Sequence, residues 1–272
     1  MIAELDQVLK GALNNRSAVA GFVGLGWEDM RAYVQAAEEV QCPLILQAGP
    51  GCRANTPLDV LAAMMRRLAS DVSVPIVVHL DHSTSIDECQ RALDLGFTGL
   101  MFDGSSLPLE ENISHTRAVV DLARRYDVGV EGEIGFVGYA NGRESSMTDP
   151  EEAALFAKES GIAAMAVSVG NVHLQTDKQI LLDEERINAI GSLVSVPLVI
   201  HGGSGVPAGQ RHRLARESMI CKYNIGTELR QAFGGALRET LADSPDLFDR
   251  IEIMKQIEQK LTVSASDVLR GL

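Results

Sequence analysis

The chain has 272 residues, with 24 Lys and Arg against 37 Asp and Glu for a formal net charge of −13, and 46% of its residues are hydrophobic. That apolar fraction excludes a disordered or collagen-like chain, and the length suits one large domain or two small ones. The acidic balance argues against nucleic acid as a partner, which would need a basic stripe to neutralise phosphates.

The start of the chain, MIAELDQVLK, carries acids where a secretory signal would carry a basic start and an apolar core. Short runs rich in Val, Ile, Leu and Met, bounded by Gly or Pro, then predict strands at 18–23, 43–49, 75–81, 99–103, 129–135, 164–170, 197–202 and 219–226. Such continuous apolar runs belong to strands covered on both faces of a parallel sheet. Amphipathic stretches at 27–40, 57–70, 83–95, 110–126, 150–160, 183–191 and 207–217 predict the helices between them. Asp149-Pro150 opens one helix with a cap and a proline at its first position, and Gly96 and Gly161 stand where helices stop.

Eight strands alternating with helices predict a (β/α)8 TIM barrel of the α/β class with additional terminal helices. A doubly wound open sheet is the alternative, but no GxGxxG follows the first strand. Ser73-Val74-Pro75-Ile76-Val77-Val78-His79 echoes Ser195-Val196-Pro197-Leu198-Val199-Ile200-His201. That echo fits a half-barrel duplication, or simply two good starts for a buried strand. No linker divides the chain, so 1–272 reads as a single domain, with 241–272 as a C-terminal helical extension broken at Ser244-Pro245. No apolar run reaches the roughly 18 residues of a membrane span, so no membrane partner is expected. Cys42, Cys52, Cys89 and Cys221 form no short-spaced pair, the pattern of reduced core thiols in a cytoplasmic protein.

In such a barrel the reactive groups sit where strands end, on the C-terminal face. Three of the six histidines, His82, His173 and His201, fall at or just past the ends of different strands. Converging on one rim, they suit a three-histidine divalent site with an open position, most naturally Zn²⁺; otherwise they are three unconnected polar strand ends. His79 lies within a strand and reads as a core imidazole. Glu131 and Glu133, two apart on a strand, point the same way. Gly202-Gly203-Ser204-Gly205 lets backbone approach a ligand closely, with Asn224 and Thr227 as further donors after the last strand. In barrels these two loops commonly take phosphate, although the same glycines also make a plain turn.

Leu80-Asp81-His82, the stretch from Phe102 to Ile113, Val130-Glu131-Gly132-Glu133-Ile134-Gly135, Gly170-Asn171-x-His173, His201-Gly202-Gly203-Ser204-Gly205 and Asn224-x-x-Thr227 together resemble the class II, metal-dependent ketose-bisphosphate aldolases. The likeness is nearest to the tagatose- and fructose-bisphosphate branches. It implies a Zn²⁺-dependent lyase that reversibly cleaves a phosphorylated ketose to dihydroxyacetone phosphate and an aldehyde. It also implies His82, His173 and His201 as metal ligands, Asp81 as the catalytic acid and base, and Asp103 and Glu133 at a second position for another divalent or a monovalent cation. Gly202, Ser204, Asn224 and Thr227 would hold the phosphate. Relatives form dimers or tetramers, so the resemblance also implies a homodimer or homotetramer.

The chain departs from that pattern at several points. Leu174 stands where a glycine usually follows the histidine, Ser83 where a glycine follows Asp-His, and Val23 where an asparagine is common. Between Gly135 and Thr148 the paired acids of many relatives are absent, and Glu144 is the sole carboxylate, hence the candidate base at C3. The departures bring in a second substrate class, an unphosphorylated or acidic sugar derivative. A metal-dependent hydrolase would carry His-x-His on the first strand, which has no histidine, and a non-catalytic sugar-phosphate-binding protein would tolerate loss of Asp81. Lys222, on the last strand, does not signal imine chemistry, and the sixth strand has no lysine.

Overall fold

In the computed structural model, which describes residues 1–140, 142, 144–176 and 180–272, eight parallel strands close into a barrel in chain order. They are β1 Val19–Val23, β2 Leu44–Ala48, β3 Ile76–Ser83, β4 Gly99–Phe102, β5 Gly129–Ile134, β6 Ala164–Val167, β7 Leu198–Ile200 and β8 Ile220–Ile225. Pairing of β1 with β8 completes the ring and removes the open-sheet alternative. Every predicted strand forms, because a segment covered by helices outside and side chains within needs an apolar residue at nearly every position.

The intervening helices are α1 Leu5–Asn14, α2 Trp27–Val40, α3 Pro50–Asn55, α4 Leu58–Ser70, α5 Ile86–Asp94, α6 Leu109–Ala123, α7 Pro150–Ser160, α8 Glu184–Leu193, α9 Ala208–Glu217, α10 Thr227–Asp243 and α11 Arg250–Arg270. Their ends follow capping chemistry. The Asp149 side chain accepts from the Glu151 and Glu152 amides at the start of α7, and the helix stops at Gly161 with φ 73°. The helix expected from 83 begins only at Ile86, since Ser83 stays in β3 and Ser85 caps α5 by accepting from the Glu88 amide. The helix after β8 runs through to Asp243, so the extension beyond the barrel starts after 243 rather than at 241. Arg31 on α2 grips Glu258 on α11 through two hydrogen bonds, docking that extension on the barrel.

Three helices, α1, α3 and α10, are not among those expected from the sequence. The short α3 forms one wall above β2. Helix α1 closes the N-terminal end of the barrel: Leu5, Val8, Leu9 and Ala12 pack against Val19, Ile45, Val77 and Val199 from the strand interiors. No described helix is long and apolar enough to cross a membrane. The four cysteines are free.

A bulge in β3 shapes the rim of the barrel. The register between β3 and β4 shifts between Leu80 and Ser83, and His82 adopts φ 50° there. A regular strand would turn Asp81 and His82 to opposite faces. Here both border the same cavity.

Candidate active site

That cavity, about 220 Å³, opens at the C-terminal ends of the strands, bordered by Gly49, Asp81, His82, Tyr139, His173 and the ends of β7 and β8. His82, His173 and His201 each offer a ring nitrogen within 4.8 Å of the others. The three come from the ends of β3, β6 and β7, and Asn171 knits the last two together: its amide donates to the Val167 and His201 carbonyls while its oxygen accepts from the Val169 amide. Gly202 is required at this junction. Its φ is 63°, and a Cβ there would lie 2.2 Å from the Val172 carbonyl oxygen.

Asp81 is held from within the barrel. The Gln47 amide donates to its Oδ1 at 2.7 Å and the Asn224 amide at 3.4 Å, leaving Oδ2 without a partner among the described residues. Gly21 makes the space, since a Cβ would come within 2.5 Å of Gln47 Oε1 and 2.7 Å of Asn224 Oδ1. Burial opposes ionisation of Asp81, but the surrounding His82, His201 and Lys222 charges prevail and hold its carboxyl below the usual range.

The imidazoles sit among carboxylates. Asp103 Oδ2 lies 2.8 Å from His82 Nδ1, and its Oδ1 accepts from the Ser105 amide and hydroxyl. Glu133 Oε2 stands 3.3 Å from His201 Nδ1 and 3.9 Å from His82 Nδ1. Both Glu133 Oε2 and His201 Nδ1 are buried with no hydrogen-bond partner. Buried polar atoms rarely go unsatisfied, and these two face each other beside two more imidazoles, so the donor set fits a cation. The nitrogen and oxygen donors, with no thiolate in either cluster, suit a divalent ion. His82, Asp103 and Glu133 form a second, overlapping donor set. Burial works against charge on His201, yet Glu131 and Glu133 push it up to about 10. Burial, then the neighbouring His82 and His201, push His173 down to about 3.

Gly202, Ser204, Asn224 and Thr227 all border the cavity. Ser204 Oγ accepts from the Gly226 and Glu228 amides at the start of α10, which leaves its hydroxyl proton free to donate. Leu174 borders the cavity too, in the left-handed region at φ 57°. Glu144 does not reach it and is exposed. Tyr139, in the same loop, does: its ring stacks on His173 at 5.0 Å, and the Ala140 amide donates to the His173 carbonyl and the His173 amide to the Gly138 carbonyl, holding 138–140 beside it. Sequence reasoning missed both Gln47 and Tyr139. Gln47 alone carried a signal, as the one amide inside an otherwise apolar strand.

A model of the class II fructose-bisphosphate aldolase family matches residues 3–271. The chain belongs to that family. A sulfofructosephosphate aldolase from Alkalicoccus urumqiensis is 34% identical over 245 residues, covering 88% of this chain and 85% of that protein. Among solved structures, the YdjI aldolase of Escherichia coli K12 superposes with a TM-score of 0.89 at 30% identity, over 100% of this chain and 97% of its own. A putative fructose-1,6-biphosphate aldolase from Coccidioides immitis shares the fold, with a TM-score of 0.85 at 23% identity over 98% and 96% of the two chains. As a class II family member the protein is an aldolase-type carbon–carbon lyase. Chemistry in its family is typically metal-dependent, and the family implies a sugar phosphate as substrate.

Proposed function

We propose that this aldolase uses Zn²⁺ held by His82, His173 and His201 to cleave a phosphorylated ketose, reversibly, to dihydroxyacetone phosphate and an aldehyde. The observation that carries the reading is one cavity bordered by a positioned carboxylate, His82, His173 and glycine-rich strand ends, with a ring nitrogen of the buried His201 within 4.8 Å of the other two. When bound, the ion supplies Lewis-acid polarisation of the substrate's ketone oxygen, worth several kcal/mol. Asp81 does the proton chemistry. Its Oδ1 is committed to Gln47 and Asn224, so the free Oδ2 takes the proton from the C4 hydroxyl as the C3–C4 bond breaks, and returns it in the condensation direction. The Gly202 and Ser204 loop, with Asn224 and Thr227, orients the phosphate. The Asp103 and Glu133 pair offers a second cation position. Glu144, being exposed, would need its loop to close before acting at C3.

A second reading keeps metal and bond cleavage and changes the substrate to an acidic sugar derivative. Leu174 and Val23 border the cavity where relatives carry glycine and asparagine, and the 34% identical relative is named for a sulfonated substrate. We also read 1–272 as one folding unit that works in the cytoplasm as a homodimer or homotetramer.

A cleavage screen of Zn²⁺-loaded protein over ketose mono- and bisphosphates and acidic ketose phosphates, with detection of the triose product, tests both readings. Excess chelator should abolish turnover and Zn²⁺ restore it. Full activity in chelator would remove the metal from the reaction.

A further inference from the structure

Lys222 on β8 and Glu131 on β5 lie fully buried inside the barrel, and the proposed reaction uses neither. Charges this deep are costly unless paired. Lys222 Nζ donates to Glu131 Oε2 at 2.5 Å, and the other oxygen, Oε1, stands 3.0 Å from His201 Nε2. An ionised carboxylate only accepts hydrogen bonds. Nε2 therefore carries a proton and donates it, and the nitrogen left for other work is Nδ1, the one without a partner. His79, 3.9 Å from Glu131 Oε2, stands too far away to compete for that oxygen. Engagement with Glu131 also keeps the lysine amine from any substrate carbonyl.

We propose that Lys222 and Glu131 form a positioning relay that commits His201 to presenting Nδ1 to the metal centre. Glu131 holds the Nε2 proton, and Lys222 fixes the orientation of Glu131. His82 is the internal contrast: Asp103 occupies its Nδ1, so the two rings offer opposite nitrogens. Groups behind a ligating imidazole set its tautomer and basicity, and losing one typically lowers metal affinity about 10–100-fold. The inference rests on reading the three histidines as one metal centre.

Competition of Zn²⁺ against a chromophoric chelator, checked by circular dichroism for folding, is the test. Glu131→Leu should weaken Zn²⁺ binding about 10–100-fold, whereas Glu131→Gln, whose amide oxygen still accepts from Nε2, should retain most of the affinity. Should the lone substitution destabilise the barrel, two double variants that leave no buried charge settle the point. E131Q/K222M keeps the acceptor and should bind well; E131L/K222M removes it and should bind about tenfold or more weakly by comparison. In ¹H–¹⁵N spectra of the Zn²⁺-loaded wild type, His201 should show a metal-shifted Nδ1 and a protonated Nε2. Equal affinity in the Leu and Gln variants, or the reverse nitrogen assignment, overturns the relay. Wild-type protein that binds no Zn²⁺ would instead sink the metal centre on which the relay depends, and tight binding without any cleavage would sink only the proposed reaction.

Discussion

The two ends of the barrel are built from the same strands and could hardly differ more. At the N-terminal end, inward positions Val19, Ile45, Val77 and Val199 meet the apolar face of α1. One or two inward positions further along, Gln47, His79, Asp81, Glu131, His201 and Asn224 fill the same interior with polar groups, nearly all shielded from water. The lower half is held by burial and close packing, where any apolar group of the right size contributes. The upper half survives because most of its charges have a named partner, and two of its unsatisfied atoms, Glu133 Oε2 and His201 Nδ1, lie where a cation fits. Stability and chemistry are thus stacked along one axis, and substitutions at the two ends should fail in different ways.

The largest effect is expected at the upper end. Asp81→Ala removes the proposed proton acceptor, so kcat should fall about 10²–10⁴-fold. Zn²⁺ affinity measured by chelator competition should stay close to wild type, and a wild-type rate would take Asp81 out of its role. The lower end should respond in the opposite sense. Leu9→Ala empties part of the α1 plug and should cost about 2–5 kcal/mol in denaturant unfolding while kcat per folded molecule is kept; loss of kcat at full stability would erase the division between the ends.

Acidity offers a subtler probe. In the metal-free protein His201 is raised to about 10 from an ordinary 6.5. Its charged form therefore favours the fold below pH 6.5, and that contribution is lost as pH climbs through 10. The melting temperature of metal-free protein should fall across that window, and His201→Asn should flatten the slope. The smallest effect concerns the rim. Leu174 holds a left-handed conformation that costs a non-glycine residue about 1 kcal/mol. Leu174→Gly should recover that much in unfolding experiments and lower KM for a phosphorylated ketose by admitting its phosphate more closely. An unchanged KM would show that Leu174 does not crowd the substrate.

Much of this was legible in the residues. The β-branched runs announced the strands, and polar groups such as His201 and Asn224, ending apolar segments, announced the rim. Less visible was α1, whose Leu5, Val8, Leu9 and Ala12 have an amphipathic spacing that names no partner. Only closure of the barrel offered it an end to cover. Asp81 and His82 were legible as adjacent letters, but their shared direction depends on the β3 bulge. Glu144 stood out as the sole acid of its loop, yet the chain path leaves it exposed and brings Tyr139 to the cavity.

Composition and order alone were enough for the scaffold and for the polar residue types that stand at each strand end, because periodicity and residue type are local properties. Which groups touch was decided by tertiary closure. Gln47 meets Asp81 and Asn224 over the bare backbone of Gly21, and Lys222 meets Glu131 from 91 residues away. Those contacts join distant segments through space that only the closed barrel creates, and no local pattern in the chain encodes that space.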